Sequence, residues 1–199
     1  EIDRVRRRFQ LTGRTALFVG NIKPHKNVER LIAAIAKVRE DPSFADLTLV
    51  IVGDEISKYP SLRRAIDRHE IRSRVRFFGF VPEATLVSLY RAADVFVFPS
   101  LYEGFGLPPL EAMANGTPVV TSQTSSLPEV VGEAALTVDP YNVEDIAQAI
   151  KSTLVDPNLR ARLIERGRKR AQRFSWETAA AEIHGVYMRA LGLSPEASS

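Results

Sequence analysis

Short apolar runs alternate with amphipathic stretches along most of this chain. Six runs, at residues 15–19, 47–52, 75–78, 95–98, 118–121 and 136–138, lack clean polar alternation. That is the pattern of strands buried on both faces. Between them, apolar residues recur at helical spacing: Val28, Leu31, Ile32, Ile35 and Val38, then Leu62, Ala65 and Ile66, then Leu86, Leu89 and Tyr90. Asn27 stands where an N-cap belongs for the first of these helices. From about Val143 to Leu191 the pattern is helical with no strand. Repeated strand–helix units predict an α/β fold, a Rossmann-like three-layer domain whose six-stranded parallel sheet carries helices on both faces. Ligands of such sheets bind beyond the carboxyl ends of the strands. The loops richest in chemistry here follow the first four strands, so all should lie on that edge.

Composition narrows the picture. The 199 residues, 45% hydrophobic and 26% charged, suit one globular domain. With no cysteine, disulfide frameworks and thiolate metal sites are excluded. A net charge of +3, with acids scattered throughout, argues against a nucleic-acid surface. No apolar run reaches the length of a membrane span, and no signal peptide opens the chain. Glu1 and the arginine-rich residues 4–8 read as a segment cut from something longer, and residues 191–199 as a loose tail.

The most informative run is Phe98-Pro-Ser-Leu-Tyr-Glu-Gly-Phe-Gly-Leu-Pro-Pro-Leu-Glu-Ala-Met-Ala-Asn-Gly116. A strand ends in a glycine-containing loop, which opens into a helix with Pro108 and Pro109 in its first turn. Glu103 is on the loop and Glu111 on the helix. Gly104 and Gly106 free the backbone to approach a ligand, and a helix N-terminus suits a phosphate. Two carboxylates beside an anion site make sense if the ligand also carries hydroxyls that need acceptors, as a nucleotide sugar does. A second cluster, Lys23, His25 and Lys26, precedes the helix that begins at Asn27. Cations there oppose the helix dipole, so either the loop is simply solvated or an anion neutralises it.

Glu103-x7-Glu111 within that run resembles the signature of the GT4 (glycosyltransferase group 1) family, retaining enzymes of the GT-B fold. Phe18-Val-Gly-Asn-Ile-Lys-Pro-His-Lys-Asn27, Val50-Ile-Val-Gly53, Val75-Arg-Phe-Phe-Gly-Phe-Val-Pro82, Thr117-Pro-Val-Val, Ser126-Leu-Pro-Glu-Val-Val and Phe174-Ser-Trp-Glu resemble family segments in family order. The likeness covers roughly residues 12–190. It implies the C-terminal half of a GT-B fold: residues 1–190 form the donor-binding domain with its crossover helix, and the N-terminal acceptor domain is absent.

The resemblance also implies roles. Lys26 holds the donor diphosphate and Glu103 faces the transferred sugar; these two are the expected catalytic residues. Glu111 takes the ribose hydroxyls. Gly104, Phe105, Gly106 and Leu107 donate backbone N–H groups, Leu107 to the phosphate. Gly20 and Gly53 lie near the donor, and Phe80 and Val81 carry the base through backbone contacts. The family usually has an arginine where Asn21 stands, so Lys23 or His25 supplies the missing charge and Asn21 hydrogen-bonds. No metal or other cofactor is expected. The donor is a nucleoside-diphosphate hexose, with Gly20-Asn-Ile-Lys-Pro-His-Lys26 resembling bacterial polysaccharide mannosyltransferases and hence implying GDP-mannose. The acceptor is a glycan or lipid. The implied setting is the cytoplasm, at the inner face of the membrane, with peripheral contact made by the full-length protein.

Simpler readings stand beside these. Glu103 could be an ordinary loop carboxylate, Glu111 a helix-surface residue and Phe80-Val81-Pro82 a strand exit before a helix. Asp54 and Glu55 read as exposed. Ser126-x-x-Glu129 reads as a capping box, Ser175 as an N-cap and Trp176 as packing for the last helix. His69 and His184 read as packing or surface residues. A nucleotide-binding module without transfer activity is the main alternative. A dinucleotide oxidoreductase fails on context, since its glycine fingerprint belongs after the first strand.

Overall fold

The computed structural model describes residues 2–192; most of the expected tail, residues 193–199, lies outside them. The six strands are β1 (Thr15–Val19), β2 (Thr48–Val52), β3 (Val75–Phe78), β4 (Val95–Phe98), β5 (Val119–Ser122) and β6 (Leu136–Val138). All pairs are parallel, in the order β3-β2-β1-β4-β5-β6. Burial explains the sequence pattern. Every residue of β1, β2, β4 and β5 is buried, whereas the edge strands β3 and β6 are partly open.

The helices are α1 (Ile2–Arg8), α2 (Val28–Arg39), α3 (Pro60–Arg68), α4 (Glu83–Ala92), α5 (Leu107–Ala114), α6 (Leu127–Val131), α7 (Val143–Val155), α8 (Pro157–Ala171) and α9 (Trp176–Ala190). Strand order reverses between β1 and β4, so right-handed crossovers put α2 and α3 on one face and α4 and α5 on the other. Accordingly α7 packs on α2, and α8 on α5. Stacked Phe18, Phe96 and Phe98 fill the centre of the core.

Several local expectations need correction. Strand β5 runs one residue later than 118–121, because Pro118 has no N–H and contributes only its carbonyl, which accepts from Phe96 N. Strand β2 starts at Thr48, since Leu47 N closes a turn onto Phe44 O. Residues 2–8 form α1, whose Arg6 donates to Ala92 O and Gly13 O. The following Phe9 meets Phe78 edge-on at 4.6 Å. Ser175 does cap α9, accepting from Thr178 N. Trp176 does not pack that helix: α9 buries none of its residues, and Trp176 is 80% exposed. His184 is exposed and His69 half-buried.

Candidate functional site

The strand order reverses between β1 and β4, and the loops after these two strands meet at the carboxyl edge of the sheet. This is the crevice in which open α/β sheets bind ligands. Leu101 N donates to His25 O at 2.7 Å. Asn27, buried between the loops, donates from Nδ2 to Pro99 O at 2.9 Å and to Pro140 O at 2.7 Å. Asn27 thus occupies the N-cap position of α2, but its side chain does not cap the helix. The amide is spent across the crevice, while the residue holds a left-handed backbone (φ 58°, ψ 31°) that Asn tolerates better than most residues.

Lys26 and Glu103 come together across the same junction. Lys26 Nζ donates to Glu103 Oε1 at 2.6 Å, and each side chain keeps only 12% of its exposure. Lys26 Nζ also lies 5.0 Å from the Phe98 ring centroid. The sequence reading gave these two residues separate ligand groups; adjacency of β1 and β4 makes them partners of each other. The shared bond still leaves Glu103 a second carboxylate oxygen and Lys26 further N–H donors.

The loop carrying Glu103 is fastened by three successive hydroxyls after β5. Thr124 Oγ1 donates to Leu101 O at 3.2 Å. Ser125 Oγ accepts from Glu103 N at 3.1 Å and donates to Glu103 O at 2.7 Å. Ser126 Oγ lies 2.6 Å from Phe105 O and 3.0 Å from Glu103 O. This corrects the expected capping box: Ser126 makes no side-chain cap on α6, because its hydroxyl is engaged by the Glu103 loop. Ser125 has a positive φ of 60°, unusual for a residue other than glycine or asparagine. Gly106 also needs its residue type, with φ +121° and Leu127 Cδ2 only 2.9 Å from where a Cβ would sit. Gly104 does not: nothing lies within 4 Å of its would-be Cβ, so no protein neighbour requires a glycine there.

Glu111 is exposed on α5, and its Oε2 accepts from the hydroxyl of Tyr90 at 2.8 Å. Tyr90 is a fully buried α4 residue. Burial, reinforced by the Glu111 carboxylate, pushes the Tyr90 phenol well above the usual tyrosine range, so it remains a donor. Sequence reading placed Tyr90 in an apolar stripe; the signal it offered was a phenol that must find a partner once buried. At the start of α5, Pro108 and Pro109 have no N–H. Among the described residues, the N–H groups of Gly104, Phe105, Gly106 and Leu107 make no backbone hydrogen bond. Beside Glu111, a cleft of about 650 Å³ opens between α5 and the start of α9, lined by Phe105, Leu107, Phe174 and Trp176.

The remaining candidates spread along the carboxyl edge. Gly20 and Gly53 end β1 and β2 back to back: a Cβ on Gly53 would sit 2.6 Å from Gly20 O. Gly53 is therefore demanded by this contact, as well as being near the edge. Asn21 and Lys23 are exposed and His25 is half-buried. Asp54 is not freely exposed, in contrast to Glu55; it accepts from Tyr59 Oη at 2.6 Å. That bond, with backbone donors from Glu55 and Ile22, holds the Asp54 carboxyl below its ordinary pKa. Phe80, 98% exposed, and Val81 follow β3, two strands away from β1. Among the described residues, no group of three or more His, Asp or Glu side chains could hold a metal ion, and no helix is long and apolar enough to cross a membrane.

Known proteins resemble this chain in sequence and in fold. The O-antigen chain mannosyltransferase B of Escherichia coli is 38% identical over 172 residues, 86% of this chain and 45% of that protein. Sucrose-phosphate synthase from Thermosynechococcus elongatus superposes with a TM-score of 0.83 at 30% identity, over 96% of this chain and 49% of its own. Anabaena Alr3699/HepE, solved in complex with UDP and glucose, gives a TM-score of 0.84 at 25% identity, over 94% of this chain and 52% of its own. This chain spans about half the length of these relatives. A family model described as glycosyl transferases group 1 matches residues 1–170, and the chain belongs to that family.

Proposed function

We propose that this chain is the donor-binding half of a retaining glycosyltransferase. The complete protein would transfer a hexose from a nucleoside-diphosphate sugar to a glycan or lipid acceptor. The observation that carries the reading is the convergence of Lys26, Glu103 and the N–H groups of residues 104–107, which have no backbone partner among the described residues, at the point where the strand order reverses. In transfer, the bond from the anomeric carbon to the diphosphate breaks and the acceptor oxygen bonds to the same face. Negative charge grows on the leaving oxygen, where fixed cations and N–H donors lower the barrier. Lys26 and Leu107 N–H take that role, with Lys23 or His25 adding charge where the family has an arginine and this chain has Asn21. Glu103 accepts from sugar hydroxyls and faces the positive charge that develops at the anomeric carbon. Glu111 accepts from the ribose, and the backbone at Phe80 and Val81 receives the base. Gly20 and Gly53 keep the sheet edge open to the donor. The diphosphate is balanced by side chains and N–H groups, with no metal called on.

The relative's name as a mannosyltransferase favours a mannose donor, and GDP-mannose is the donor we propose. The acceptor domain would precede residue 1, and residues 1–190 would form the donor domain. The full protein would act in the cytoplasm at the inner face of the membrane, touching it peripherally. A nucleotide-binding module without transfer is the second reading, favoured by Asn21 in place of the arginine.

Isothermal titration of this chain with UDP, GDP and ADP, free and as their sugars, tests the donor assignment. Binding of at least one nucleotide sugar is expected, and absence of heat from all of them on folded protein would overturn it. Glu111→Ala should weaken nucleotide binding by about 1–3 kcal/mol, the loss of a charged hydrogen-bonding group. Glu103→Ala should spare the free nucleotide and weaken the nucleotide sugar.

A further inference from the structure

We propose that Ser125 and Ser126 are positioning residues that set sugar recognition, acting through the backbone of Glu103; the inference rests on the donor-site reading above. The two hydroxyls occupy the N–H and C=O of Glu103 and the C=O of Phe105, three of the loop's polar backbone groups. What this leaves unspent on the loop is one-sided in chemistry. The carbonyls of Glu103 and Phe105, which would repel a phosphate, are engaged. The N–H groups of residues 104–107, which would attract one, have no backbone partner among the described residues. A loop without these bonds could present either kind of group.

The position of the hydroxyls matters as much as their number. They bind at Glu103 itself, whose side chain is held separately at 2.6 Å by Lys26. Glu103 is therefore fixed from both ends, by cation and by serine, and its free carboxylate oxygen has one direction in which to meet a sugar. Nothing comparable links the serines to Glu111, whose side-chain partner is Tyr90 on α4. The clamp should thus act on the sugar end of the donor and leave the ribose end alone. Ser125 adds a sign that this geometry is imposed: it keeps a positive φ of 60°, a conformation that costs a serine free energy and that brings its hydroxyl onto both backbone groups of Glu103.

The test compares two ligands on one chain. Free GDP and UDP, and GDP-mannose and UDP-glucose, are titrated into the wild type, Ser126→Ala, Ser125→Gly and Ser126→Thr. Ser125→Gly removes the hydroxyl while accepting the positive φ, and Ser126→Thr keeps the hydroxyl. Expected is a loss of about fivefold or more in nucleotide-sugar affinity for Ser126→Ala and Ser125→Gly, about 1 kcal/mol by the tenfold rule. Free-nucleotide affinity should stay within about twofold, and Ser126→Thr should behave as wild type. Equal losses for nucleotide and nucleotide sugar would reduce the serines to general scaffolding and overturn the proposal, as would unchanged sugar affinity in both variants. A wild-type chain that binds no nucleotide sugar would instead overturn the donor-site reading itself, so the two failures are distinguishable.

Discussion

Replacing Tyr90 by Phe removes one oxygen and very little else. The ring stays edge-on to Phe96, at 5.5 Å between centroids, and the Tyr90 carbonyl keeps its bond from Thr117 Oγ1. What disappears is the 2.8 Å bond to Glu111 Oε2. A hydrogen bond to a charged group contributes about 1.5–3 kcal/mol when both partners are shielded. Glu111 is exposed and regains water, so a stability loss of about 1 kcal/mol is expected. That lowers the melting temperature by roughly 2–4 °C for a domain of this size. The larger interest is in binding. On the proposed ribose role of Glu111, a side chain freed from the phenol would be immobilised by the incoming ribose, at roughly 0.5–1.5 kcal/mol. Nucleotide affinity should fall roughly 2- to 12-fold. Calorimetric titration with the tightest-binding nucleoside diphosphate reads this directly, and Tyr90→Phe combined with Glu111→Gln should lose less than the sum of the two. Since the phenol's folded pKa is raised above the ordinary value of 10.0, its contribution holds below that pH and fades above it. An unchanged affinity alongside the expected melting shift would refute the reasoning, and so would strict additivity in the double variant.

Three further outcomes follow from the sheet edge. Gly53→Ala places a Cβ 2.6 Å from Gly20 O at a φ of +131°; strain of about 1–3 kcal/mol, plus the clash, should lower the thermal midpoint by roughly 5 °C or more, and an unaltered midpoint would count against the back-to-back contact. Asn27→Ala leaves Pro99 O and Pro140 O without their shared donor and forces alanine into a left-handed backbone, for about 3 kcal/mol or more in urea denaturation; Asn27→Gly, which tolerates that backbone, should lose less, and equal losses would contradict the strain component. Asp54 has its carboxyl depressed below 3.8, first by the Tyr59 hydroxyl, so its stabilisation is present above that pH and lost as pH falls through the folded value; Asp54→Asn should flatten the decline of stability below about pH 4, and parallel profiles for the two proteins would speak against it.

The strands were legible because a strand buried on both faces must be apolar throughout, as β1, β2, β4 and β5 are. Helix α1 was not, since four of its seven residues are arginine and Arg6 ties it to the Ala92 carbonyl, 86 residues along the chain. Glu103 and Glu111 stood out because carboxylates beside a helix start need a reason. Their holders did not: Tyr90 carries the spacing of a core residue, and Ser125 meets Glu103 across a separation of 22 residues. Ser126-x-x-Glu129 fitted a local rule, and a distant loop claimed its hydroxyl instead. Trp176 illustrates the converse, a large apolar side chain that no neighbour covers.

Asn27 joins segments that the chain itself keeps far apart. Its two acceptors lie 72 and 113 residues downstream, beyond β4 and beyond β6. No fragment ending before Pro140 can complete that pair of bonds, however well β1 and α2 form on their own. The amide therefore makes the first loop of the site answerable to the last strand of the sheet. A chain that ends before Pro140 loses this anchor of its ligand edge together with α7, the helix that packs on α2.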